Sequence, residues 1–219
     1  MIYIFDDIQG FSYEEGERLL PLLSGQRREK YDRYRFYKDK RLSELVYLLL
    51  RYGLLAERGI TSPPELVTAP GGKPSVAGES FGISLSHCSA GVMSSITEGA
   101  SGVDIQETVR SFRDIAGAVL TDEELAEIET REDSCERFTD IWTRKECCGK
   151  YSGEGIAYQM NRTALLGDNG KWLRFGEKFI FTGRGEGYSY SVCADSPQTI
   201  IRVSCESLIM EMDELFIYT

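Results

Sequence analysis

Side chains that could hold a divalent cation are concentrated in one short segment of this 219-residue chain. Residues 102–106 read Gly-Val-Asp-Ile-Gln, and the alternation of polar and apolar side chains predicts a strand. In a strand, Asp104 and Gln106 leave the same face, whereas the residues between them point to the core. Two neighbouring side-chain oxygens suit a hard cation. Taken alone, the aspartate is equally typical of a turn at a strand end.

A second group of charged side chains has helical spacing. Trp142, Glu146 and Lys150 recur at every fourth position, so they share one stripe of a helix, with Lys145 at its edge. This stripe fits a metal-binding carboxylate beside an ammonium that clamps a phosphate. An ordinary ion pair on the helix surface is the alternative. His87 is the only histidine, and by itself it is more typical of a structural than of a catalytic residue.

A basic segment supplies a candidate anion site. Between Arg27 and Arg41 there are eight Lys or Arg residues against three acidic ones, whereas the whole chain has a formal net charge of −10. A local excess of positive charge favours an anionic ligand, and a solvated helix face is the alternative. The acidity of the chain argues against general nucleic-acid binding.

The composition also limits location and cofactor type. No apolar run approaches the roughly 18 residues that span a bilayer, and the first residues lack the basic segment of a secretory signal. We therefore expect a cytoplasmic monomer that contacts no membrane. Six cysteines without C-x₂-C spacing are expected to be free thiols, and one histidine does not complete a zinc site.

The elements that must position these residues are of both types, and the predicted fold class is α+β. Helix is predicted for 12–59, from Thr121 with Glu124 completing a capping box, and from about 136 to 151. Short strands are predicted at 81–86, 92–96 and 102–106, and an antiparallel meander over roughly 161–204. The stretches 62–64 and 69–74, rich in proline and glycine, predict loops.

Together, the motifs resemble those of the Sfp-type 4′-phosphopantetheinyl transferases (group II). The family pattern is G-K-P, S-H, G-[IV]-D-[IV]-E and W-[ST]-x-K-E-[AS]-x-x-K-x-x-G-x-G. The matching segments of this chain are 72–74, 86–87, 102–106, and 142–150 followed by 153–155. The resemblance runs from about residue 27 to residue 155.

The resemblance implies a pseudo-dimeric fold in which each half is a small antiparallel sheet packed with helices. Residues 1–101 would contact the 3′-phosphate and adenine of coenzyme A, and residues 102–219 would carry the magnesium site and the catalytic helix. The enzyme would be of the holo-[acyl-carrier-protein] synthase type. It would move 4′-phosphopantetheine from coenzyme A to the serine of an acyl or peptidyl carrier protein, with Mg²⁺, and release adenosine 3′,5′-bisphosphate.

The resemblance also implies roles for individual residues. Asp104 and Glu146 would bind magnesium, and Glu146, Lys150 and His87 would be catalytic. The residues expected to contact coenzyme A are Arg27, Lys30, Arg41, Lys73, Pro74, Ser86, His87 and Lys150. The chain departs from the pattern at Gln106, where the family often has a second carboxylate; we expect a weaker, neutral ligand there.

Two further expectations concern the partner and the alternative function. A carrier protein is usually acidic, so it must dock on a local patch of this acidic chain, beside Arg113 or within 111–120. The alternative function is a module that binds coenzyme A or a carrier protein without catalysis; a purely structural protein would leave the combination of motifs unexplained.

Overall fold

The structure is a computed structural model that describes residues 1–68, 71–155 and 160–218. Ala69 and Pro70, part of one predicted loop, lie outside the described residues. Within these ranges, the α-helices are Tyr13–Leu19 (α1), Gly25–Arg33 (α2), Tyr37–Arg58 (α3), Ala116–Val119 (α4), Asp122–Glu129 (α5), Ser134–Ser152 (α6) and Cys205–Leu215 (α7). None of the described helices is both long enough and apolar enough to cross a membrane.

Ten strands occur in the described part of the chain. They are Ile2–Phe5 (β1), Leu66–Thr68 (β2), Pro74–Val76 (β3), Gly82–Cys88 (β4), Gly91–Thr97 (β5), Ser101–Glu107 (β6), Trp172–Phe175 (β7), Lys178–Gly185 (β8), Tyr188–Ala194 (β9) and Ile200–Arg202 (β10). They form two four-stranded sheets and one hairpin, with the orders β10-β1-β5-β4, β6-β9-β8-β7 and β2-β3.

The first sheet packs against the long helix α3. Residues 45–50 of α3 are all buried, and they form one core with Tyr3, Phe5, Ile83 and Ile96 of the sheet. The helix begins after Phe36 and ends at Gly59, whose positive φ of 63° is a conformation that glycine adopts without strain. This core fixes β4, the strand that ends in Ser86 and His87.

The second sheet holds helix α6 on one face. A Cβ atom on Gly102 would lie 2.0 Å from the carbonyl oxygen of Cys147, so only glycine lets the helix approach strand β6 this closely. The opposite face of the sheet carries Val103 and Ile105, which share a core with Ile2 of the first sheet. Asp104 lies between these two residues in the strand, so its side chain leaves the other face, which meets α6.

The structure confirms the mixed α+β class and most of the predicted elements. The strands predicted at 81–86, 92–96 and 102–106 are present, and α5 begins after Thr121 with its capping box formed. Helix α6 begins two residues earlier than predicted and ends at Ser152, with Gly153 as its C-cap.

The predicted meander over 161–204 is wrong at its end. Strand β10 does not continue the second sheet; it runs parallel to β1 at the edge of the first sheet. Helix α7 then adds Leu208, Met212 and Leu215 to the first core. The first sheet thus contains chain from beyond residue 101, and the division into two halves at that residue stays a prediction.

Candidate active site

A cleft between α2, β3 and β4 brings several predicted substrate contacts together. Its volume is about 680 Å³. A smaller cavity of about 190 Å³ shares part of its wall and reaches α6. The predicted residues that line the first are Arg27, Lys30, Pro74 and His87, and those that line the second are Lys73, Pro74 and Lys150. The two cavities together therefore extend from the basic segment to α6.

Arg27 is a fixed wall of this cleft. It is buried, and its Nε and Nη2 atoms donate to the carbonyl oxygen of Ser43 at 3.1 and 2.5 Å. Its guanidinium also lies 5.7 Å from the ring centre of Tyr47. Burial lowers the pKa of Arg27. The side chain is thus held in place by α3 while it carries positive charge into the cleft.

The basic side chains around the cleft lower one another's pKa. The pKa of Lys30 is lowered, first by desolvation and then by the charge of Arg27. The pKa of His87 is lowered by desolvation, and further by Arg27, Lys30 and Lys150. Because Arg27, Lys30 and His87 line the same open volume, an anion bound there would favour their protonated forms.

At the α6 end of the cleft, Asp104 is held by two donors. Lys150 Nζ lies 2.7 Å from Asp104 Oδ1, and the Ser86 hydroxyl donates to the same oxygen at 2.8 Å. Lys150 also donates to Ser86 Oγ at 2.9 Å and to the Val103 carbonyl at 3.0 Å. Ser86 is therefore engaged with the carboxylate of Asp104 and the ammonium of Lys150, and it does not line the cleft itself.

Glu146 faces the same group from helix α6. Its pKa is raised by desolvation and by the charge of Asp104, whereas Lys150 and a hydrogen bond from Trp142 lower it. The charge of Lys150 therefore acts on both carboxylates, although its ion pair is with Asp104. Gln106 leaves β6 on the same face as Asp104, two residues further along the strand.

The side-chain oxygens at this end of the site are suitable ligands for a hard divalent cation. The oxygens of Asp104, Glu146 and Gln106 are of the type that Mg²⁺ prefers, and a second positive charge would balance the two acids. No three His, Cys, Asp or Glu residues stand together as a metal ligand set within 1–68, 71–155 and 160–218. A cation held here would therefore use two acidic ligands, and its remaining positions would be open to water or to a phosphate.

Lys73 and Pro74 occupy the loop and strand opposite α6. Lys73 Nζ donates to the carbonyls of Ser101 and Tyr151 at 3.0 and 3.1 Å. The lysine therefore connects the first half of the chain to β6 and to the end of α6. Pro74 lines both cavities.

Arg41 is not brought to the cleft. Its guanidinium donates to the carbonyls of Ile8 and Phe11 and lies 5.9 Å from the ring centre of Phe11. It shares helix α3 with Ser43, but its side chain belongs to the contact with the chain before α1. The residues that line the cleft do not include it.

Lys145, expected at the edge of the catalytic stripe, is instead fully buried. Its Nζ atom lies 2.5 Å from Glu124 Oε2 and donates to the carbonyls of Met160 and Thr163. Glu124 also accepts from the backbone N–H of Thr121 and of Leu165. This lysine therefore connects α5, α6 and the segment after α6, and its motif spacing gave no sign of that role.

A second cleft lies beside the predicted partner patch. It has a volume of about 610 Å³, and Arg110, Phe112 and Arg113 contribute to its wall. The ring of Phe112 is stacked on Phe138 at 5.1 Å, so it is already packed inside the protein.

Comparison with known proteins identifies one family. A family model described as the 4′-phosphopantetheinyl transferase superfamily matches residues 100–193, which run from the start of β6 almost to the end of β9. The chain is 29% identical over 161 residues to the 4′-phosphopantetheinyl transferase psf-1 of Bacillus pumilus, covering 71% of this chain and 69% of that protein. It is 24% identical over 212 residues to the 4′-phosphopantetheinyl transferase Sfp of Bacillus subtilis (strain 168), covering 90% of this chain and 95% of that protein.

Proposed function

The chain belongs to the 4′-phosphopantetheinyl transferase superfamily and is a phosphopantetheinyl transferase, and we propose that coenzyme A is its donor. The acceptor is the serine of an acyl or peptidyl carrier protein, and adenosine 3′,5′-bisphosphate is released. One observation carries this proposal. Arg27, Lys30 and His87 line one cleft, and Lys150 lines the adjoining cavity, where it pairs with Asp104 close to Glu146.

The cations of the cleft suit the charges of coenzyme A. Arg27 and Lys30 lie at the α2 end, where they would neutralise the 3′-phosphate. Lys73 and Pro74 would border the adenine. Arg41 adds no support, because its guanidinium donates to two backbone carbonyls.

The residues at the α6 end would act on the phosphoryl group itself. The serine oxygen of the carrier protein attacks the β-phosphorus, and the bond from that phosphorus to the bridging oxygen breaks. Glu146 accepts the serine proton. His87 and Lys150 donate hydrogen bonds to the pyrophosphate oxygens as charge builds on the leaving bisphosphate. Ser86 fixes the orientation of Asp104.

Magnesium is the proposed cofactor. Asp104, Glu146 and Gln106 would hold the ion, which would polarise the phosphoryl group and offset the charge of the pyrophosphate. Since Lys150 now donates to Asp104, an ion at this carboxylate would free the ammonium for the pyrophosphate.

The proposal is tested by mass spectrometry of apo-carrier proteins incubated with coenzyme A, magnesium and this protein. We expect a mass gain of one phosphopantetheine group and none when magnesium is chelated. Binding of coenzyme A without any mass gain across a panel of acyl and peptidyl carrier proteins would instead identify a binding module.

The proposed role of Gln106 as a magnesium ligand is tested by a magnesium titration of Gln106→Glu. A carboxylate binds magnesium more tightly than an amide, so the concentration that gives half-maximal activity should fall. Gln198→Glu makes the same chemical change far along the chain and should leave it unchanged. An unaltered magnesium dependence of Gln106→Glu would exclude this residue from the metal site.

A further inference from the structure

A chain of buried hydroxyl groups connects α6 to the second sheet. Arg144 Nε donates to Thr182 Oγ1 at 2.8 Å. The hydroxyl of Thr182 lies 2.9 Å from that of Ser191, which lies 2.8 Å from that of Thr143. Thr143 Oγ1 also donates to the carbonyl oxygen of Asp140 at 3.0 Å. We call Thr182, Ser191 and Thr143 the hydroxyl chain, and none of the three is more than 2% exposed.

The direction of the hydroxyl chain follows from its two ends. The guanidinium of Arg144 can only donate and the carbonyl of Asp140 can only accept, so each hydroxyl between them accepts one hydrogen bond and donates one. The chain therefore has no unpaired member. Because it is closed off from water, loss of one hydroxyl leaves its neighbour without a partner.

The hydroxyl chain runs directly beside Asp104. Ser191 of β9 is the cross-strand partner of Asp104 in β6, and Thr182 of β8 is the partner of Ser191 on its other side. Residues directly opposite each other in neighbouring strands place their side chains on the same face of the sheet. Asp104, Ser191 and Thr182 thus form one row on the face that meets α6. The hydroxyl through which Thr143 reaches the sheet belongs to the neighbour of a proposed metal ligand.

Thr143 holds the part of α6 that carries Glu146. It lies one turn before Glu146 and Cys147, and the carbonyl of Cys147 packs on Gly102 of β6. That backbone contact limits how closely the helix and the strand approach. The bond from Thr143 to Ser191 is directional, so it also fixes how the helix is turned about its axis.

We propose that Thr143 is a positioning residue for the metal site, an inference that rests on the proposed function. Through Ser191, its hydroxyl fixes α6 on β9, so that Glu146 of the helix and Asp104 of β6 converge on one cation. Because Thr143 is fully buried, it acts through these residues and not on a ligand. A reacting group displaced by about 1 Å can lose on the order of 100-fold in rate, so a small turn of α6 matters.

Direct metal binding is the first test. Thr143→Val keeps the shape of the side chain and removes the hydroxyl, whereas Thr143→Ser keeps the hydroxyl. The probe is Mn²⁺, which prefers the same oxygen ligands as Mg²⁺. Its binding to the whole protein is followed by electron paramagnetic resonance with coenzyme A present, against a blank of Mn²⁺ and coenzyme A. Thr143→Val should raise the Kd for Mn²⁺ about tenfold, and Thr143→Ser should leave it within about twofold.

Kinetics supply a second measurement of the same displacement. In transfer to an apo-carrier protein, Thr143→Val should lower kcat at least tenfold. The KM for coenzyme A should stay within about twofold, because Arg27, Lys30 and His87 of the cleft are unchanged. A rise in this KM as large as the fall in kcat would show a general loss of structure and overturn the proposal.

Thr139→Val is the matched control. Thr139 lies one turn earlier on α6 and is also fully buried. Its hydroxyl accepts from the backbone N–H of Val109 at 3.2 Å and donates to the carbonyl of Cys135 at 2.8 Å, so it does not bond the sheet. The control should lower the thermal unfolding midpoint about as much as Thr143→Val and leave the Kd for Mn²⁺ within about twofold. An equal rise in that Kd would reduce the effect to helix stability and overturn the proposal, as would a rise for Thr143→Ser equal to that for Thr143→Val.

Ser191→Ala tests the path from Thr143 to the metal site. It removes the other end of the bond, so the double variant Thr143→Val/Ser191→Ala should bind Mn²⁺ no more weakly than the weaker single variant. Effects that multiply in the double variant would show that the two residues act independently, against the proposal. Where Thr143→Val does not fold, Ser191→Ala decides alone, and a Kd within about twofold of the unmodified value overturns the positioning role.

Metal binding keeps this proposal distinct from the proposed function. Transfer by the unmodified protein, together with unaltered Mn²⁺ affinity of the Thr143 and Ser191 variants, refutes the positioning role and leaves the function standing. Mn²⁺ binding that depends on Thr143, without any transfer, supports the positioning role and refutes the function. An unmodified protein that binds no Mn²⁺ refutes the positioning role.

Discussion

Glu146 has two proposed tasks, and both need its negative charge. It would hold the metal and accept the serine proton, whereas its pKa is already raised by desolvation and by Asp104. Glu146→Gln keeps the shape and removes the charge. We expect kcat to fall roughly 100-fold or more, equivalent to about 3 kcal/mol of transition-state stabilisation.

His87→Ala is the comparison for that loss. It removes one donor from several around the pyrophosphate, so a fall of about tenfold is expected. Both variants are measured by single-turnover transfer to an apo-carrier protein, with thermal unfolding as the check on folding. Near-normal turnover of Glu146→Gln would contradict its assignment.

Glu44 makes the stability of the first core depend on pH. It is 1% exposed, its Oε1 atom has no hydrogen-bond partner, and its pKa is raised to about 8 by desolvation and by Glu17. The folded protein therefore binds a proton that the unfolded chain releases above pH 4.5. The stability that Glu44 contributes is highest below that value, is lost by at most about 1.4 kcal/mol per pH unit as the pH rises, and levels off above pH 8.

Glu44→Gln should remove this pH dependence. Its free energy of unfolding should exceed that of the unmodified protein increasingly between pH 5 and pH 8, in urea titrations at fixed pH. Glu14→Gln, an exposed position on α1, should follow the unmodified protein. Parallel pH profiles for Glu44→Gln and the unmodified protein would show that the carboxyl group does not titrate in this range.

At the scale of elements, local patterns predicted the helices and their ends but not the partners of their side chains. The capping box of Thr121 and Glu124 was predicted because both residues lie within one turn. The same Glu124 is also the partner of Lys145, 21 residues further on, and spacing within α6 cannot show that contact. Likewise, Lys150 pairs with Asp104 of β6, so its ion pair is not the surface pair with Glu146 that spacing allowed.

The buried pair of Lys145 and Glu124 yields a prediction about α5 and α6. Both side chains are fully buried, so Lys145→Met leaves a carboxylate without its cation. We expect a loss of about 3–5 kcal/mol in the free energy of unfolding. The double variant Lys145→Met/Glu124→Gln should recover part of that loss, because it removes the uncompensated charge.

Urea unfolding of the single and double variants measures this coupling. The exposed ion pair of Lys171 and Asp168 is the control, and Lys171→Met should cost less than about 1 kcal/mol. If Lys145→Met cost no more than this control, the buried pair would not be what fixes α5 against α6.

At the scale of the whole molecule, the sequence predicted the residues whose motif lies within one element and missed the contacts between distant segments. Motifs that lie within one strand or one helix predicted Asp104, Glu146 and Lys150, and the structure brings these three together. The return of β10 to β1 was not predicted, because three residues, Ile200–Arg202, carry no signal of which strand they join. Arg41 was predicted at the cleft from the order of basic residues alone, which does not show the side of α3 from which it leaves.

Because the same return of the chain places β10 and α7 against the first sheet, we expect the two sheets to unfold as one unit. Leu208 of α7 is buried in the first core, while both tryptophans, Trp142 and Trp172, lie in α6 and β7 beside the second sheet. The sheets share the core between Ile2 and Val103. A substitution at position 208 should therefore shift the unfolding midpoint that the fluorescence of these distant tryptophans reports.

Leu208→Ala should lower the free energy of unfolding by about 2–5 kcal/mol, since it leaves a cavity. Met210→Ala, on the exposed side of the same helix, should change it by less than about 0.5 kcal/mol. Tryptophan fluorescence and far-ultraviolet circular dichroism, followed in the same urea titration, should give coincident midpoints for Leu208→Ala. A fluorescence midpoint that stays at the unmodified value while the dichroism shifts would mean that the sheets unfold separately, and that α7 stabilises only the first.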